Sequence, residues 1–134
     1  MNFKLGDTAT ITKTITDDDI RAFADLLGDN NSVHLDDEFA KKTRFGRRIA
    51  HGMLSASLIS TAIGTKLPGA GAIYLSQSFR FMAPVYPGDT ITASVTISQI
   101  RDDKPIITLE TICSNQQDQI VVKGEAVVLV EDVG

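Results

Sequence analysis

Between His51 and Lys66 the chain reads H-G-M-L-S-A-S-L-I-S-T-A-I-G-T-K, and no charged residue separates the two ends. A helix with no polar face is stable only when other parts of the protein surround it. Its Ser, Ala and Gly residues also let neighbouring backbone approach closely. Leu67-Pro68-Gly69 then supplies a stop. The pattern changes beyond it. Residues 72–83, 89–100, 105–114 and 119–130 are rich in Val, Ile, Thr and aromatics with much alternation. Pro84-Val85-Tyr86-Pro87-Gly88, Arg101-Asp102-Asp103-Lys104 and Asn115-Gln116-Gln117-Asp118 divide them, which predicts a meander of long antiparallel strands joined by turns. The expected fold class is α+β, with the apolar helix laid across a strongly curved sheet.

Upstream, Asp7 to Ile15 alternates Thr with Ala and Ile and reads as a short strand. Thr16 and Asp19 occupy the two positions of a capping box, and Ile20, Phe23, Ala24 and Leu27 form one apolar helix face that Gly28 terminates. Asp36 to Lys42 reads as a short helical turn and Thr43 to Ala50 as a loop. A chain of 134 residues without repeats or linkers is expected to form one domain spanning 1–134.

The formal charge of −4 leaves no basic excess to neutralise phosphate backbones, which argues against a nucleic-acid or membrane-surface role. A lone cysteine, Cys113, forms no disulfide within the chain and suits a reducing compartment; its place in a predicted strand makes it a small core residue. No basic-then-apolar leader opens the sequence and no apolar run approaches membrane-spanning length, so the expected location is cytoplasmic.

Against this background Gly28-Asp29-Asn30-Asn31-Ser32-Val33-His34 stands out as a polar loop leaving a packed helix. Asp29 and His34 are equally the residues of an ordinary turn and of a general acid/base pair. Val33, Leu35 and Phe39 are available to peg the loop to the core, and His is the side chain that titrates nearest neutrality. In Arg48-Ile49-Ala50-His51-Gly52-Met53, His51 reads as a helix-start residue bonded to backbone, whereas Gly52 leaves a helix N–H open to an oxyanion. Lys41, Lys42, Arg44, Arg47 and Arg48 place five of the 13 cationic residues in one stretch. Such a run is either a solvated loop or, beside a site in an acidic protein, a receiver for a phosphate-bearing ligand. Ser55, Ser57 and Ser60 lack a nucleophile elbow, the acids and histidines lack metal-ligand spacing, and no glycine pattern points to a nucleotide cofactor, so neither metal nor cofactor is expected.

Phe23 to Ala40, F-A-D-L-L-G-D-N-N-S-V-H-L-D-D-E-F-A, resembles the signature of the (R)-specific enoyl-CoA hydratases, the MaoC-like or hydratase 2 family. Arg48 to Leu54, Ser57 to Ser60, Leu67-Pro68-Gly69 with Ile73 to Leu75, Pro84 to Asp89, Asp103-Lys104-Pro105 and Gly124-Glu125-Ala126 extend the likeness over almost the whole chain. It is nearest to the short single-domain hydratases that supply monomers for polyhydroxyalkanoate synthesis. Ser32 departs from the family's usual Pro, and Leu27 from a usual small residue.

The resemblance implies a hot-dog fold, a homodimer, and reversible syn hydration of a trans-2-enoyl-CoA to an (R)-3-hydroxyacyl-CoA. It implies that Asp29 and His34 hold and activate water, the assignment of each proton step being open. It further implies that the Gly52 N–H stabilises the thioester enolate and that Asn31 orients the loop. Ser60, Ile63 and Val128 are expected to border the acyl chain, favouring short acyl groups. Two other readings are a hot-dog acyl-CoA thioesterase and a non-catalytic acyl-CoA-binding module.

Overall fold

The computed structural model describes residues 2–131. Its chain order is β1 (Thr8–Thr14), α1 (Asp17–Leu27), α2 (Ser32–Leu35), α3 (Asp37–Lys41), α4 (Gly52–Thr65), β2 (Ala72–Gln77), β3 (Arg80–Phe81), β4 (Thr90–Ile100), β5 (Ile106–Ser114) and β6 (Ile120–Val130). The strands form one antiparallel sheet in the order β1-β4-β5-β6-β2, and β3 also pairs with β6.

Alternation decides which face of this sheet is covered. On β4, Ile91, Ala93, Val95 and Ile97 are buried, joined by Ile107, Leu109 and Cys113 of β5 and Val121, Val122, Ala126 and Val128 of β6. The opposite face at the β1–β4 seam carries threonine pairs, Thr8 with Thr96, Thr12 with Thr92 and Thr14 with Thr90, at 2.8–3.0 Å. Helix α4 lies on the covered face through Ser55, Ala56, Ile59, Ala62 and Ile63. The Cys113 thiol, donating to the Ser55 carbonyl at 3.5 Å, marks how near the small helix residues let β5 come. That burial pushes the thiol's pKa up to about 12, which suits a core residue rather than a nucleophile.

Two expectations are corrected. The four long β segments do not form one sequential meander: only β4, β5 and β6 follow each other across the sheet, while segment 72–83 returns to the far side of β6. That segment is itself broken. A register shift falls between Tyr74 and Ser76, and Ser78-Phe79 leaves the ladder to cross Gly124, where an added Cβ would collide with the Ser78 carbonyl oxygen. Secondly, α4 is not covered all round within one chain. Met53, Ser57, Ser60 and Gly64 are spaced along one exposed stripe of it.

The upstream helix forms where its sequence places it, but Leu27, expected on its apolar face, is 61% exposed. Thr16 and Asp19 make the reciprocal capping box, three acids occupy the first turn, Ile20 and Ala24 are buried, and Gly28 ends the helix at φ +73. A left-handed residue there costs a glycine little and turns the chain sharply toward α2. Among the described residues no helix is long and apolar enough to cross a membrane.

Candidate active site

Gly28 sends the chain out of α1 so that Asp29 and Asn31 meet the start of the next turn. The Asp29 carboxylate accepts the Asn31 N–H at 3.4 Å, and Asn31 in turn caps α2 by accepting the Val33 N–H at 3.2 Å. The stretch read as a loop therefore contains a short helix, and it is this turn that carries His34. Ser32 is its first residue, a position that proline fits well.

His34 is 8% exposed. One ring nitrogen, Nδ1, lies 2.8 Å from the Ile49 carbonyl oxygen, which only accepts; Nδ1 therefore carries the proton and Nε2 keeps its lone pair. Burial lowers the pKa of this imidazole below its ordinary value, outweighing the opposite effects of the Ile49 bond and of Asp29. The ring is thus a neutral acceptor at neutral pH.

His51 lies against it. The two rings stack at 3.9 Å between centroids with planes inclined by 29°, and Phe23 packs on the outer side of His51 at 4.9 Å. His51 donates from Nε2 to the Asp29 carbonyl at 3.1 Å, a bond to backbone that holds the end of the Asp29 turn. Ligand-type atoms of Asp29, His34 and His51 all lie within 4.8 Å of one another. Stacked rings point their in-plane lone pairs side by side rather than at one centre, so this trio suits proton handling better than tetrahedral ligation.

Arg48 locks the assembly. It is 15% exposed, donates to Asp17 at 2.6 Å and to Asp37 at 2.8 Å, and reaches the His34 carbonyl at 3.3 Å. One guanidinium thereby ties α1 and α3 to the turn bearing His34. The basic run is consequently not uniform: Arg48 is a half-buried strut and Lys41 pairs with Glu38 at 3.1 Å, leaving Lys42, Arg44 and Arg47 without an ion pair among the described residues.

His34, Gly52 and Ser55 line a cavity of about 480 Å³ whose opposite wall is Phe81, Met82, Val85 and Val122, with Arg44 and Phe45 also lining it. Among the described residues no side chain caps α4, and Gly52 opens the helix against this space. The Phe81 ring lies over Gly52, 2.8 Å from where a Cβ would stand. Neither Ile63 nor Val128 borders the cavity: both are closed in the core at 1% and 0% exposure. Ser60 lines a separate hollow of about 290 Å³ with Tyr74, Leu75 and Met53. The structure thus brings Asp29, Asn31, His34 and Gly52 together and sets Ser60, Ile63 and Val128 apart from them.

Sequence reasoning assigns neither Phe81 nor Ser55 to the site, and it reads Arg48 only as one charge of the basic run. Ser55 had a signal, a hydroxyl on a helix expected to be buried. Its Oγ and His51 Nδ1 are, among the described residues, the buried side-chain polar atoms left without a partner. An unpaired buried hydroxyl costs stability, and alanine is the better helix former. The Ser55→Ala protein is therefore expected to unfold in urea with a free energy raised by about 1 kcal/mol; a decrease would show that the hydroxyl has a partner.

A family described as the MaoC like domain matches residues 6–117 of this chain. A protein of Rhodospirillum rubrum named (R)-specific enoyl-CoA hydratase is 46% identical over 96% of this chain and 89% of its own length. The structure of an (R)-hydratase of Aeromonas caviae, described as involved in PHA biosynthesis, superposes with TM-score 0.93 at 45% identity, covering 97% of this chain and 98% of that one. A mitochondrial 3-hydroxyacyl-[acyl-carrier-protein] dehydratase of Arabidopsis thaliana is 36% identical over 97% of this chain and 79% of its length. The antiparallel sheet packed on a helix is the hot-dog fold of these hydratases.

Proposed function

Since the chain belongs to the MaoC-like domain family, we propose that it is a hydro-lyase, an (R)-specific enoyl-CoA hydratase adding water reversibly to trans-2-enoyl-CoA. The observation that carries this reading is the unprotonated Nε2 of His34, fixed by the Ile49 bond, beside Asp29 and on the cavity that Gly52 also lines.

Water is a weak nucleophile until a base takes its proton. In this reading Asp29 and His34 hold the water between them and His34 Nε2 accepts the proton as the oxygen bonds to C3. The displaced π electrons collect on the thioester oxygen, where the Gly52 N–H and the positive end of α4 offset the charge. The enolate then takes the proton back at C2 on the same face, which makes the addition syn. Asn31 holds the geometry by capping the turn. The acyl-length role expected of Ser60, Ile63 and Val128 is not part of this reading, because Ile63 and Val128 are closed in the core and Ser60 lines a separate hollow. A polyhydroxyalkanoate-precursor role and a cytoplasmic setting belong to the same reading, supported by the Aeromonas relative and by the single buried cysteine.

We also propose a homodimer. Strand β2 ends the sheet, and Ile73, Tyr74 and Leu75 on it are 42%, 37% and 50% exposed, next to the uncovered stripe of α4. An apolar edge strand of this kind calls for a partner.

The test is the purified protein with crotonyl-CoA, following loss of the conjugated thioester absorbance and formation of (R)-3-hydroxybutyryl-CoA with an (R)-specific dehydrogenase. Release of free thiol from saturated acyl-CoAs without hydration would assign a thioesterase instead. The neutral form of His34 is the active one, and burial favours that form. Hence the decline of kcat/KM with falling pH is expected to be centred below the ordinary histidine value of 6.5. A decline already centred above 6.5 would remove His34 as the base.

A further inference from the structure

Resting on the acyl-CoA reading above, we propose that Arg44 and Arg47 form the site for the phosphates of coenzyme A. The chain carries a formal charge of −4, so a polyanionic carrier is repelled by most of its surface. The stretch from Lys41 to Arg48 is the exception, and the structure sorts its charges. Arg48 is consumed by Asp17 and Asp37 and Lys41 by Glu38. Arg44 and Arg47 are both exposed and have no carboxylate partner among the described residues.

Their placement fits a ligand that begins in the cavity and ends outside it. Arg44 is exposed and yet lines the same cavity as His34 and Gly52, so its guanidinium stands where that cavity meets solvent. The Arg47 guanidinium carbon sits over the Tyr86 ring, 3.7 Å from its centroid, a contact that holds the group by its face and not through its N–H donors. Phe45, between the two in sequence, lines the cavity, and Tyr86 donates to its carbonyl at 3.5 Å. Ring stacking with a free planar fork is how arginine is held ready for a phosphate oxygen pair. The thioester of an acyl-CoA reacts in the cavity, its pantetheine arm runs out past Phe45, and the diphosphate reaches Arg44 and Arg47.

The experiment compares the wild type, Arg44→Ala and Arg44→Ala/Arg47→Ala on crotonyl-CoA and on crotonyl-pantetheine, which lacks the phosphates. Calorimetric binding of free CoA and of pantetheine accompanies it. The double variant is expected to raise KM for crotonyl-CoA about tenfold, the equivalent of about 1.4 kcal/mol, with little change in kcat. Its KM for crotonyl-pantetheine stays at the wild-type value, and raised salt shrinks the difference between wild type and variant on crotonyl-CoA. Arg44→Lys retains most of the affinity. Equal losses on both substrates would make the arginines supports for the fold, and no loss would make them bystanders; either overturns the proposal. A defect seen only with a crotonyl group on acyl carrier protein would also overturn it, assigning the loop to an acidic protein. If the wild type hydrates neither thioester, the hydratase reading fails by itself. Calorimetry then decides the anion site: CoA binding weakened in the variants upholds it, and unchanged binding refutes it.

Discussion

Asp29→Asn is expected to lower kcat for crotonyl-CoA hydration by about 10²–10⁴-fold while leaving the fold intact. The side chain is exposed and its main internal contact is the Asn31 N–H at 3.4 Å, which an amide oxygen also accepts. Shape and local turn survive, so what is lost is a negative acceptor for the water. His34→Ala is expected to fall by a similar factor, but it also strips the Ile49 carbonyl of its donor, costing about 1–3 kcal/mol of stability. The pair of variants therefore separates chemistry from scaffolding: circular dichroism melts should match wild type for Asp29→Asn and drop for His34→Ala, with turnover lost in both. Wild-type turnover in Asp29→Asn would refute the site assignment and leave the fold untouched.

The second large effect is structural. Gly124→Ala is expected to destabilise the protein by about 3 kcal/mol, at the upper end of what overpacking costs. The new methyl would collide with the Ser78 carbonyl oxygen and lie 2.7 Å from its carbon, both backbone atoms that have no rotamer to change. Relief requires moving the crossing at Ser78-Phe79, held to β6 by Ser78 N–H to the Glu125 carbonyl at 2.9 Å and by Glu125 N–H to Ser78 Oγ at 3.0 Å. Phe81 follows that crossing immediately and lies over Gly52, so the displacement reaches the cavity as well. Denaturant unfolding reads the first consequence, and KM for crotonyl-CoA the second. A stability equal to wild type would show that the crossing yields freely.

Much of this architecture is legible in the sequence because it rests on local physics. The capping box at Thr16 and Asp19, the stop at Gly28 and the alternation along 89–100 need no distant information. The pairing of segment 72–83 with β6 does, because nothing in its own residues says which strand lies beside it. The break at Ser78-Phe79 is equally hidden, written at Gly124 rather than where the chain bends. At the site, Asp29 and His34 were visible as a polar pair in an odd place. The stacking of His51 on His34 and the withdrawal of Arg48 into a strut were not, since each depends on residues that meet only in three dimensions. Ser60 and Ile63 show the same limit: three apart on one helix, they are exposed and buried respectively.

The two walls of the cavity come from different parts of the chain. One wall, with His34, Gly52 and Ser55, comes from the segment between His34 and Ser55, and the facing apolar surface from Phe81 to Val85 with Val122. One backbone hydrogen bond in particular, Ala50 N–H to the Val85 carbonyl at 2.7 Å, stitches the halves together. The enzyme is in this sense a tool with a fixed head and an exchangeable jaw. Point changes from Met82 to Val85 reshape the facing wall alone, whereas Phe81, which lies over Gly52, bears on both halves. A lineage, or a designer, can therefore retune substrate choice one residue at a time while the reaction itself is inherited whole.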